Sequence, residues 1–117
     1  MLKIYLSGAI SNKDIKEAKK EFAKAEKMIL EILKSHKFKK DEYEIKNPFK
    51  ILKLNKKHKY EDYLREDIRA LIDCDYLINI ENCGWKESKG GMIERIIAGA
   101  LGIKIRTLSR FVLYPFR

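Results

Sequence analysis

Residues 76–108, YLINIENCGWKESKGGMIERIIAGALGIKIRTL, carry the pattern that decides the fold. Tyr76 to Ile80 is a short, unbroken apolar run, the kind that forms a strand buried on both faces of a parallel sheet. Glu81 to Lys89 is polar and reads as a loop. Gly90-Gly91 opens a helix running to about Leu101, and Gly102 is suited to stop it. Ile103 to Leu108 reads as a further strand. Strand, loop, helix and strand in that order make a βαβ unit, whose two strands lie parallel with the helix crossing one face.

The same alternation continues toward the N-terminus. Met1 to Ser7 reads as a first strand, with Leu2, Ile4 and Leu6 alternating against Lys3, Tyr5 and Ser7. Gly8 breaks it, and Ser11-Asn12 supply a capping region. From Asp14 to Ser35, Ile15, Ala18, Phe22, Ala25, Ile29, Ile32 and Leu33 recur at spacings of three and four, which predicts a long amphipathic helix. Asp14 and Glu17 at its start, and Lys34, His36 and Lys37 at its end, complement the helix dipole. A short strand over Tyr43 to Lys46 stops at Asn47-Pro48, since proline cannot continue a central ladder. Phe49 to Lys59 is a basic connection, and Tyr60 to Ile72 is a second helix with Tyr63, Ile68, Leu71 and Ile72 turned inward. The expected fold is a single α/β domain spanning residues 1–117. It is Rossmann- or flavodoxin-like, with a parallel sheet of four to five strands and helices on both faces. Ligands of such sheets bind beyond the carboxyl ends of the strands, here the turns after Tyr5 and Asn47 and the loop after Ile80.

Composition narrows the function classes. Lys and Arg number 26 against 17 Asp and Glu, a net charge of +9 that invites a nucleic-acid reading. Yet Glu17, Glu21, Glu26 and Glu31 sit among the lysines, the pattern of a solvated, ion-paired helix face rather than a phosphate-binding stripe. Nucleic acid is therefore not the expected partner, although a positive surface attracts small anions. No apolar run approaches the roughly 20 residues of a membrane span, and no signal segment is visible. Cys74 and Cys83 are too few for a disulfide scaffold, and a reducing cytoplasm suits them.

Three segments hold residues that could do chemistry. In the first, Tyr5-Leu6-Ser7-Gly8-Ala9-Ile10-Ser11, a strand ends in Ser-Gly before a helix and exposes backbone N–H groups to an anion; its plainer reading is a tight turn. In the second, helical spacing puts Asp67 beside Tyr63, Leu64 and Leu71 on the apolar side, where a carboxylate needs a partner or a purpose. A salt bridge is the plainer reading there. In the third, Gly84 to Glu94, Trp85 is placed to stack on a base, and Gly90-Gly91 let a ligand approach the backbone. Glu94 falls in the first helical turn, where the dipole favours the ionised form of a nucleophilic carboxylate. A loop anchor and a simple charge preference are the plainer readings of Trp85 and Glu94.

Together, Tyr-Leu-Ser-Gly on the first strand, Arg-Glu-Asp-Ile-Arg-Ala-Leu before an apolar strand, and Gly-Trp-x-x-Ser-x-Gly-x-x-x-Glu opening a helix resemble the nucleoside 2-deoxyribosyltransferase superfamily. The resemblance runs over about residues 2–107. It is closest to small phage and bacterial members and extends to the 2′-deoxynucleoside 5′-monophosphate N-glycosidases. It implies that Glu94 attacks C1′ of the deoxyribose, that Asp67 assists departure of the base, and that Tyr5 orients sugar and glutamate. It implies that Ser88, where nucleoside-specific transferases usually carry aspartate, contacts phosphate. Ser7, Gly8, Ile10, Trp85, Gly90 and Gly91 complete the implied substrate site.

The chain departs from the phosphate-binding glycosidases at Ala9-Ile10-Ser11, where they carry Ser-Ile-Arg. It also ends at Arg117, without the extension through which transferases complete a neighbour's site, which favours hydrolysis over transfer. The implied activity is hydrolysis of a deoxynucleotide N-glycosidic bond, needing neither metal nor organic cofactor. Its partners are a small deoxynucleoside or deoxynucleotide and, by resemblance, further copies of the chain in a dimer or larger homo-oligomer. A non-catalytic nucleotide sensor of the same fold and a glycohydrolase of NAD or a signalling nucleotide are the alternatives. The apolar tail Phe111 to Phe116 would cover a subunit interface or pack as a last strand.

Overall fold

The computed structural model describes residues 1–10, 14–51 and 58–117. Chain order is β1 (Leu2–Ser7), α1 (Ile15–Ser35), β2 (Tyr43–Lys46), α2 (Pro48–Ile51), α3 (Tyr60–Leu71), β3 (Tyr76–Asn79), α4 (Lys89–Ala100), β4 (Lys104–Thr107) and α5 (Leu108–Leu113). The capping region at Ser11-Asn12 and residues 52–57 of the basic connection lie outside the described residues.

The four strands form one sheet in the order β2-β1-β3-β4, and every neighbouring pair is parallel. Central β1 pairs with β2 from Leu2 opposite Tyr43 to Tyr5 opposite Lys46, and with β3 from Ile4 opposite Tyr76 to Ser7 opposite Asn79. The doubly wound α/β fold follows the alternation of strands and helices along the chain. The period-two geometry of β1 sorts its side chains between two cores. Ile4 and Leu6 meet Phe22, Ala25, Ile29 and Leu33 of α1 and Phe111 of α5. Tyr5 faces the other way, with Leu77 of β3, and meets Leu71 of α3 and Ala98 of α4. Helices therefore cover both faces.

α1 forms because its apolar stripe fits a 3.6-residue period and its first turn is capped. The Asp14 carboxylate accepts the Lys16 N–H at 2.9 Å. Burying Phe22, Ile29 and Leu33 completely contributes roughly 1.5–3 kcal/mol each. Ile15 departs from the expected stripe: it is the first helical residue and is exposed. Asn47-Pro48 does more than end β2. The Asn47 carboxamide oxygen accepts the Phe49 N–H at 3.0 Å, and proline occupies the first helical position, where no N–H is needed.

Three further expectations are corrected. Ile72 follows the last turn of α3 and points to solvent instead of inward. The final strand is shorter than 103–108, ending at Thr107 where β3 offers its last partner, Asn79. The apolar tail is no strand: Thr107 caps α5 through the Arg110 N–H, and Phe111 packs edge-on against Tyr76 and Phe116. Leu108 and Phe111, three residues apart, reach the same core, a spacing that only a helix satisfies. Gly102 stops α4 as expected, with φ at +73°, a conformation other residues adopt at a cost. Among the described residues no helix is long and apolar enough to cross a membrane.

Candidate active site

A cavity of about 70 Å³ opens beyond the carboxyl end of β1, on the face covered by α3 and α4. β1 contributes Ser7 and the turn residues Gly8 and Ile10, α3 contributes Asp67, and α4 contributes Glu94 with Ser88, Gly90 and Gly91 at its start. Tyr5 sits beneath, wholly buried, and joins the site through its hydroxyl. The alternation that turns Ile4 and Leu6 into one core turns Tyr5 and Ser7 toward α4.

Those two hydroxyls hold Glu94. Tyr5 donates to Oε2, and Ser7 donates to Oε1 at 2.7 Å. Burial nevertheless dominates the carboxyl and raises its pKa, against the Tyr5 and Ser7 hydrogen bonds and the charge of Arg95. This corrects the expectation of a carboxylate kept ionised by the helix end. Ser88 is the cap and Lys89 the first helical residue, so Glu94 is the sixth, beyond the turn where the dipole acts. Asp67 is pushed up to about 8, first by burial, then by the charge of Glu94 and of Glu66. The upward direction and the apolar cause match expectation, and among the described residues no salt bridge holds it. Among the described residues no donor reaches the Asp67 carboxyl, whereas Glu94 has two. Negative charge therefore settles on Glu94 before Asp67, leaving one carboxylate beside one carboxylic acid. Burial, then Glu94 and Asp67, raise the Tyr5 phenol well above its ordinary range, so it remains a donor.

The loops are held by few contacts. The buried Asn82 carboxamide accepts the Ala9 N–H at 3.0 Å and donates to the Ala9 carbonyl at 3.0 Å, tying the turn after β1 to the loop after β3. A Cβ on Gly8 would lie 3.2 Å from Cζ of Phe22 and 3.3 Å from Cβ of Ile80, so the turn passes where only glycine fits. Ser88 Oγ accepts the Gly91 N–H at 3.3 Å, which leaves its own proton free to meet an anion.

Trp85 does not line this cavity. Its ring lies beside Arg95, 5.3 Å from the guanidinium, in a separate cleft past β3 and β4. Sequence reading also missed Phe22, Pro48, Tyr60, Tyr63 and Leu64 in the cavity wall. Tyr63 and Leu64 carried a signal, lying four and three residues before Asp67 on the same helix face; Phe22 and Pro48 carried none, because distant elements deliver them. Among the described residues no group of three His, Cys, Asp or Glu side chains is placed to hold a metal.

Fold and site define a doubly wound α/β domain with a carboxyl pair, Glu94 buried and Asp67 half-buried, at the sheet's carboxyl edge. The family model of a domain of unknown function, DUF4406, matches residues 2–107, and the chain belongs to that family. No curated protein matches the chain, and no solved structure does.

Proposed function

We propose that the protein hydrolyses the N-glycosidic bond of 2′-deoxynucleoside 5′-monophosphates, in the manner of the nucleoside 2-deoxyribosyltransferase superfamily that its motifs resemble. One observation carries the reading: an acid raised to about 8, Asp67, shares a cavity with a glutamate held by two hydroxyl donors. The Glu94 carboxylate attacks C1′ while the C1′–N bond breaks, and Asp67 gives its proton to the departing base. Water then attacks the glycosyl ester and loses a proton to Asp67, and the C1′–O bond to Glu94 breaks, releasing deoxyribose 5-phosphate. Tyr5 and Ser7 orient the nucleophile. The free hydroxyl proton of Ser88, at the start of α4, suits the phosphate.

The cavity of about 70 Å³ has room for about two waters, so a nucleotide must part its walls. Tyr60 is the side chain placed to yield. It is half exposed, and its hydroxyl oxygen lies 3.5 Å from where a Gly90 Cβ would stand. Chromatography of reactions with the four deoxynucleoside monophosphates tests the proposal. Free base is expected from wild type, with a loss of at least a hundredfold in Glu94→Gln. Absence of base release from every substrate, or release by Glu94→Gln at the wild-type rate, overturns it. Intact nucleotide recovered from a tight complex would instead favour a sensor.

A further inference from the structure

The cleft that takes Trp85 away from the carboxyl pair has its own chemistry. It measures about 640 Å³, within the roughly 300–1,000 Å³ range of small-molecule sites, and lies past the last residues of β3 and β4. Lys86, Arg95, Arg106 and Arg110 line it, and among the described residues no carboxylate does. The hydrogen bonds that Arg95 makes go to uncharged oxygens. Arg95 donates to the buried Asn79 side chain at 3.5 Å and to the Trp85 and Lys86 carbonyls at 3.5 and 3.2 Å. Arg106 donates to the Ile105 carbonyl at 2.8 Å and to a main-chain oxygen of Arg117 at 2.7 Å. Arg110 and Lys86 make no ion pair with a described residue. Four like charges thus share a cleft in which Lys86 and Arg110 have no ion-pair partner among the described residues, a field that an anion relieves. Two of the guanidiniums are already oriented by backbone oxygens, which lowers the ordering cost of gripping phosphate oxygens. Between them Trp85 offers an aromatic surface fixed by Arg95 at 5.3 Å and Lys86 at 5.7 Å.

We infer that this cleft is a second ligand site, separate from the Glu94 cavity, that binds an aromatic organic phosphate with its phosphate on Arg106 and Arg110 and its ring against Trp85. The inference stands without any turnover at Glu94. Trp85 is the only tryptophan, so fluorescence excited beyond the tyrosine band reports on this cleft. Titration with ADP, as a probe of the class, is expected to give saturable quenching. Adenosine should bind at least tenfold more weakly, and inorganic pyrophosphate should displace ADP. Arg110→Glu, an exposed substitution checked for folding by circular dichroism, should weaken ADP at least tenfold. Asp67→Asn should leave ADP affinity within twofold, which separates the cleft from the carboxyl pair. No saturable quenching at millimolar ADP, equal ADP affinity in Arg110→Glu and wild type, or loss of quenching in Asp67→Asn overturns the inference.

Discussion

Replacing Asp67 with asparagine should remove a pH-dependent weakness from the fold. The wild-type carboxyl ionises near its ordinary 3.8 in the unfolded chain and at about 8 in the native one. Between those values the native protein keeps a proton that the unfolded chain releases, so stability falls as pH rises and levels off above about 8. From pH 5 to pH 9 the native carboxyl accounts for about three pH units of that slope. At about 1.4 kcal/mol per unit this is about 4 kcal/mol, and partial solvent contact of the side chain brings it toward about 2 kcal/mol. Asparagine has the shape of the protonated acid and no charge to desolvate. Urea unfolding of both proteins at pH 5 and pH 9 isolates the effect, because every other titrating group is common to the pair. Asp67→Asn should gain about 2–4 kcal/mol on wild type between the two pH values, nearly all of it at the alkaline end. A gain below about 1 kcal/mol would refute the reasoning, since Asp67 would then titrate as a solvated carboxylate.

Tyr5→Phe removes one of the two hydrogen bonds that oppose the upward push on Glu94, so the Glu94 pKa should rise further. A carboxyl-carbon NMR titration reads this directly, and an unchanged or lower value contradicts it; the buried bond itself is worth about 1–2 kcal/mol at neutral pH. Gly8→Ala forces a Cβ against Phe22 and Ile80 and should cost about 1–3 kcal/mol in chemical denaturation, with no cost if the turn shifts freely. Phe111→Ala should cost about 3–5 kcal/mol, because α5 closes the core over Tyr76. A cost below about 1 kcal/mol would show that α5 is not needed to close that core.

Much of the site was legible because it rests on local periodicities. Period two in β1 puts Tyr5 and Ser7 on one face, and helical spacing puts Asp67 beside Leu64 and Leu71. The Gly-Gly start of α4 brings Ser88, Gly90, Gly91 and Glu94 within two turns, and these converge in the cavity. Phe22 and Pro48 were not legible, since α1 and the turn after β2 reach the cavity only once the sheet has assembled. The strand alternative for the tail at Phe111 failed for a related reason: a short apolar run satisfies strand and helix patterns equally, and packing against Tyr76 and Phe116 chooses.

The order of strands and helices, the parallel sheet they imply and the residues at its carboxyl edge were therefore determined by the sequence, because strand and helix periods are properties of neighbouring residues. The charge states of Glu94 and Asp67 and the place of Trp85 were decided by tertiary structure alone. Charge state depends on how much water surrounds a carboxyl and which donors and charges face it, and those come from Tyr5, Ser7 and each other across the fold. Trp85 turned to its own cleft because Arg95, one residue past Glu94, leaves α4 on a different side. A helix that turns 100° per residue sends neighbours in sequence to separate sites.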